Sequence, residues 1–97
     1  MIRHLVAFRF APDLPAAARQ AVLDELATFP ERYPAMRRFY VGENISQRDR
    51  TYTHALVVEF DTEAELLEYL NSDTHEAFVA ERFRPAIDGR VIVTVED

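Results

Sequence analysis

A chain of 97 residues, 48% of them apolar and 11% aromatic, suits one globular domain over residues 1–97 and is too apolar for a disordered segment. Its formal charge of −6 argues against nucleic acid or an anionic membrane as a partner. Cysteine is absent and all eleven basic residues are arginine, which excludes a disulfide framework, a thiolate metal site, a thiol nucleophile and lysine Schiff-base chemistry.

Met1-Ile2-Arg3-His4 leads straight into an alternating pattern, with no long apolar stretch or small-residue cleavage site of the kind a signal peptide carries. No apolar run approaches the ~20 residues of a membrane span. The expectation is a cytoplasmic protein.

The elements read as strand, helix, strand, strand, helix, strand. The first strand covers residues 2–10 and places Ile2, His4, Val6, Phe8 and Phe10 on one face, with Arg3, Leu5, Ala7 and Arg9 on the other. Ala11-Pro12-Asp13 is a turn. A helix over 15–28 opens on Pro15. Its stripe is Leu14, Ala18, Val22, Leu26 and Phe29, and Pro30 and Pro34 close it. The second strand spans 36–43, a polar loop runs to Arg50, and the third strand spans 51–60. There Tyr52, His54, Leu56, Val58 and Phe60 alternate with Thr53, Ala55, Val57 and Glu59.

The second helix opens with Thr62-Glu63-Ala64-Glu65, a capping box, and turns Leu66, Tyr69 and Leu70 to the core. Asn71-Ser72-Asp73-Thr74 interrupts it, because these side chains compete for backbone hydrogen bonds. A further segment, with Asp73 and Glu76 as its capping pair, runs to Phe83 with Phe78, Val79 and Phe83 apolar. Pro85 and Gly89 precede a valine-rich strand over 90–96.

This order is the split βαβ, a ferredoxin-like α+β fold, βαββαβ, with a four-stranded antiparallel sheet and both helices on one face. The opposite face keeps Leu5, Ala7, Ala55 and Val57 without a cover. A core this small gains from a partner, and an apolar sheet face marks an interface. A homodimer with facing sheets, a dimeric α+β barrel, follows; arginines and Glu59 at the edges would pair across it. A monomer with a half-solvated sheet is the plainer alternative.

The opening Met-Ile-Arg-His-Leu-Val-Ala-Phe-Arg-Phe resembles the first strand of the stress-responsive dimeric α/β-barrel (Dabb) proteins. So do Pro34-Ala35-Met36 with Val41-Gly42, His54-Ala55-Leu56-Val57-Val58-Glu59-Phe60-Asp61, Tyr69, His75-Glu76-Ala77-Phe78-Val79 and Arg84-Pro85. The resemblance covers nearly the whole chain and implies a homodimer of ferredoxin-like domains. The family includes a plant polyketide cyclase that folds a linear polyketide thioester by aldol ring closure. By position, the resemblance implies Tyr69 and His75 as catalytic residues and His4 and His54 as cavity-lining ones. The His-Pro step common in the family between the tyrosine and the last histidine is Ser72-Asp73 here.

An imidazole can remove the acidic α-proton of a carbonyl compound, and a phenol can donate to the enolate oxygen. Six residues turn a helix through about 600°, so Tyr69 and His75 share a site only through the break at 71–74. His4 and His54 lie on one sheet face but toward opposite ends of antiparallel neighbours. A lone histidine at such a position is more often a hydrogen-bonded core residue than a catalyst. Phe8, with Phe29, Tyr33, Phe60, Phe78 and Phe83, would wall an apolar pocket or simply fill the core.

Three readings follow. One is a cofactor-free enzyme on a small apolar or polyketide-like ligand, with His75 as base and Tyr69 as acid. Another is a non-catalytic ligand-binding or stress-response dimer. The weakest is a metal site of His4, His54 and His75 or a haem or oxygen-dependent monooxygenase, for which no ligand spacing or motif is present. The enzyme requires one cavity reaching both Tyr69 and His75. The metal requires three converging imidazoles.

Overall fold

The computed structural model describes residues 1–97. The strands are β1 (Ile2–Phe10), β2 (Arg37–Glu43), β3 (His54–Phe60) and β4 (Ile87–Glu96). The helices are α1 (Ala16–Ala27), α2 (Phe29–Arg32), α3 (Glu63–Leu70) and α4 (Asp73–Phe78). The sheet order is β2-β3-β1-β4, antiparallel throughout, which is the ferredoxin-like arrangement expected from the element order.

The alternation along β1 resolves as read: Ile2, His4, Val6, Phe8 and Phe10 are all buried. With Leu56, Val58 and Phe60 of β3 they form the sheet side of the core. Val22, Leu26, Phe29, Leu66, Tyr69, Phe78 and Phe83 close it from the helices. β1 and β3 register with His4 opposite Val58 and Phe8 opposite His54. The two strand histidines therefore lie four positions apart along the sheet, toward opposite ends.

Four boundaries differ from the sequence reading. Pro30 does not end the helical region. It occupies the first turn of the short α2, where its missing N–H costs nothing. β3 begins at His54 rather than 51, with the N–H of Thr53 bonded to the carbonyl of Phe8 just before it. α4 stops at Phe78 and passes through a π-helical turn, Val79–Phe83, and a 3₁₀ turn, Arg84–Ala86; the wider turn seats Phe83 in the core. β4 starts at Ile87 rather than 90, with a register shift opposite Arg9 and Phe10.

The second sheet face is open. Cross-strand rows place Tyr40, Val57, Leu5 and Val93 side by side, and likewise Gly42, Ala55, Ala7 and Val91. Val91, Val93 and Val95 are 38%, 46% and 52% exposed. Arg3 lies 3.6 Å from Glu59 and 2.5 Å from Asp97. No helix is long and apolar enough to cross a membrane.

Candidate active site

The break between α3 and α4 is two residues wide and is built by Ser72. α3 closes when the N–H of Asn71 bonds the carbonyl of Leu67 at 2.9 Å. The Ser72 backbone is extended, with φ −67° and ψ 144°. Its hydroxyl donates to the carbonyl of Tyr69 at 2.9 Å and accepts the N–H of His75 at 3.2 Å. Ser72, not Asp73, is thus the N-cap of α4, the position serine prefers; Asp73 is the first helical residue. One side chain ties the tyrosine's backbone to the histidine's.

The result is that Tyr69 and His75 pack ring to ring, with centroids 4.5 Å apart and planes inclined by 56°. Both line a cavity of about 210 Å³ between sheet and helices, with His4, Val6, Leu26, Phe29, Leu56 and Phe78 on its wall and Arg90 and Ile92 at the β4 side. His75 Nδ1 lies 3.1 Å from the carbonyl oxygen of Leu70. A carbonyl only accepts, so Nδ1 carries the proton. In the neutral ring Nε2 is then the lone-pair nitrogen, and it has no hydrogen-bond partner within the chain.

Burial lowers the His75 pKa from its ordinary 6.5, opposed by the Leu70 carbonyl and by Glu76. Burial also lowers that of His4, and the nearby His75 lowers it further. His4 Nδ1 is held 2.9 Å from the hydroxyl of Thr94. Tyr69 moves the other way: burial, then neighbouring Tyr33, raise its phenol above the ordinary 10.0. At neutral pH the cavity therefore presents uncharged imidazoles beside an un-ionised phenol. That combination can take a proton at one atom and donate a hydrogen bond from another.

His54 and Phe8 are not among the residues lining this cavity. Phe8 is fully buried, stacked 5.7 Å from the His54 ring. Thr53 Oγ1 donates to the carbonyl of Phe8 at 3.3 Å, so it accepts from His54 Nδ1 at 2.9 Å. His54 is a hydrogen-bonded aromatic partner of Phe8 and Phe10, bordering a groove near Asn44 and Tyr52. Burial lowers its pKa as well. No three His, Cys, Asp or Glu side chains are grouped to hold a metal ion; His54 lies toward the other end of the sheet from His4 and does not line the cavity with His75.

Two contributors escaped the sequence reading. Thr94 and Arg90 lie on the helix side of β4, opposite His4 and Phe8, and are themselves exposed at this edge strand. Their signal was the period-two alternation of the last strand, which needs the β1–β4 register to be read. A second groove, lined by Arg32, Tyr33, Glu65, Glu68 and Ser72, reaches the other side of Tyr69. There Tyr33 Oη bonds Thr74 Oγ1 at 2.8 Å.

Comparison with known proteins agrees with this architecture. Olivetolic acid cyclase of Cannabis sativa is 23% identical over 79 residues, 79% of this chain and 78% of that protein. A Dabb family protein with a ferredoxin-like fold from Mesorhizobium loti superposes with a TM-score of 0.88 at 21% identity, covering 99% of this chain and 95% of the other. Hydroxynitrile lyase from Passiflora edulis gives 0.86 at 23% identity, over 97% and 90%. A dimeric ferredoxin-like protein of unknown function from Thermobifida fusca gives 0.81 at 24% identity, over 97% and 88%. The profile of the Dabb family, the stress responsive A/B barrel domain, matches residues 2–97, and the chain belongs to that family.

Proposed function

We propose that this chain is a cofactor-free acid–base enzyme acting on a small carbonyl compound, of the aldol-cyclase or lyase type. The observation that carries the reading is the Tyr69–His75 pair, 4.5 Å between rings, on the wall of one largely apolar cavity. His75 Nε2 takes an α-proton from the substrate. The electron pair moves into the enolate, whose oxygen accepts a hydrogen bond from the Tyr69 hydroxyl. The enolate carbon attacks a second carbonyl of the same molecule, forming the carbon–carbon bond, and His75 returns the proton to the new alkoxide. His4, steadied by Thr94, packs beside the base as a neutral neighbour. Relatives named as a cyclase and a lyase are in keeping with proton-transfer chemistry on this scaffold.

The test is exchange of α-protons for deuterium in a panel of β-keto thioesters, followed by NMR. The wild-type chain should accelerate exchange for at least one. His75→Ala should lose about a hundredfold or more of that acceleration, as expected for a positioned base, and Tyr69→Phe about as much, as for an oxyanion donor. Exchange at the buffer rate across the panel, or full activity in His75→Ala, would overturn the reading. Ligand binding that survives in His75→Ala without any exchange would favour a non-catalytic binder.

The working unit is further proposed to be a homodimer joined through the open sheet face. Val91, Val93 and Val95 are exposed beside Leu5 and Val57, and the Thermobifida fusca protein of the same fold is dimeric. Exposed apolar rows of this kind are stabilised by a second sheet.

A further inference from the structure

We propose that Arg90 anchors a carboxylate on the substrate, so that the cavity takes a carbonyl compound carrying an acid group at its far end. This rests on the cavity being the binding site, as argued above. Arg3, Arg9, Arg32, Arg37 and Arg82 each lie within 4.0 Å of a carboxylate. Arg19 is held by backbone carbonyls of Leu14 and Ala11. Arg90 has neither kind of partner, as is also true of Arg38, Arg48, Arg50 and Arg84, but it is the one cationic side chain among the residues that line the cavity.

Its position follows from the register. Arg90 is opposite Phe8, which is wholly buried, so Arg90 is on the helix side of the sheet, though itself exposed. It is also on β4, the edge strand, where the covered face meets solvent. His4 is opposite Thr94, four residues further along the same strand, or about 13 Å at ordinary strand rise. His4 is near enough to His75 for His75 to disfavour charge on it. The cavity thus has its acid–base groups toward one end and an unpaired guanidinium toward the other. In a chain of net charge −6, an anion needs such a local cation to approach. One guanidinium matches one carboxylate in a two-point fork; with no second cation on the cavity wall, a singly charged anion is matched better than a phosphate dianion.

The experiment is an NMR titration of the full chain with the matched pair 3-phenylpropanoate and 3-phenylpropanamide, with 2-phenylethyl phosphate as a third probe. The wild type should bind the carboxylate about tenfold to a hundredfold tighter than the amide, the range of a charge-assisted hydrogen bond, with shifts at Tyr69 and His75. Arg90→Gln should bring the ratio near one and leave amide binding unchanged. Arg90→Lys should keep part of the preference, and Arg84→Gln, at an exposed arginine that does not line the cavity, all of it. Equal binding of acid and amide by the wild type, with the same shifts, would overturn the anchor and leave the cavity reading standing. So would an undiminished preference in Arg90→Gln, or a phosphate that binds tighter than the carboxylate. No binding of any probe near Tyr69 and His75 would overturn both.

Discussion

Ser72 Oγ accepts the backbone N–H of His75 at 3.2 Å, and the same hydroxyl donates to the carbonyl of Tyr69. Ser72→Ala therefore removes both an N-cap and the link that sets the angle between α3 and α4. It should lower stability by about 1 kcal/mol, the usual cost of losing a cap, measured by urea denaturation. Ser72→Asp keeps the cap acceptor and should restore most of that stability. It cannot donate to the Tyr69 carbonyl, so α-proton exchange should remain below wild type in both variants.

That hinge marks the limit of what the sequence yields. The apolar alternation of β1 and β3 needs only the pleat, and it resolved as read. The interruption after Leu70 was also legible, since Asn, Ser, Asp and Thr in succession compete with the helix for backbone groups. Which of them caps was not: Ser72 and Asp73 are both good caps, and the choice turns on where His75 must lie to reach the Leu70 carbonyl. His4 and His54 shared a face on paper, yet only His4 meets the cavity. The helices cover the two ends of the sheet differently, and Phe8, Phe10 and Phe83 fill the end nearer His54. Arg90 and Thr94 emerge only from strand pairing across some ninety residues of chain, which no local pattern encodes.

His75 should titrate below its ordinary 6.5, because burial disfavours the imidazolium. Its base form is the neutral ring, so α-proton exchange should rise with pH through that lowered value and be level by neutrality. The Tyr69 phenol lies above its ordinary 10.0, so no alkaline decline should appear below pH 10. NMR titration of the imidazole carbon-bound protons beside a pH–rate profile checks both. A His75 midpoint above 6.5 would contradict the burial argument.

Stability should follow the same histidines. The folded-state pKa values of His4, His54 and His75 are all lowered, so between those values and 6.5 the unfolded chain binds more protons than the folded one. Stability is then full above about pH 6.5 and falls as the pH drops through the lowered values. The carboxylates of Asp49 and Asp97 are held below their ordinary 3.8 and act only in more acidic solution. Urea midpoints at pH 7.5, 6 and 5 should decrease in that order, and His4→Gln should flatten part of the slope.

Val93 stands in the cross-strand row with Leu5, Val57 and Tyr40 and is 46% exposed, at the middle of the open face. In a dimer with facing sheets, Val93→Asp would bury an unpaired carboxylate, which is costly. In a monomer the same change sits in water and costs little. The wild type should sediment with twice the chain mass, and its thermal midpoint should rise with protein concentration, as mass action requires of a folded dimer. Val93→Asp should sediment as a monomer with a lower midpoint that no longer depends on concentration. The cavity lies on the opposite side of the sheet, so a folded monomeric variant also asks whether that cavity needs the dimer. Retained binding of 3-phenylpropanoate would place the whole site within one chain, whereas its loss at an intact fold would mean that the second copy holds β4, and with it Arg90 and Thr94, in position.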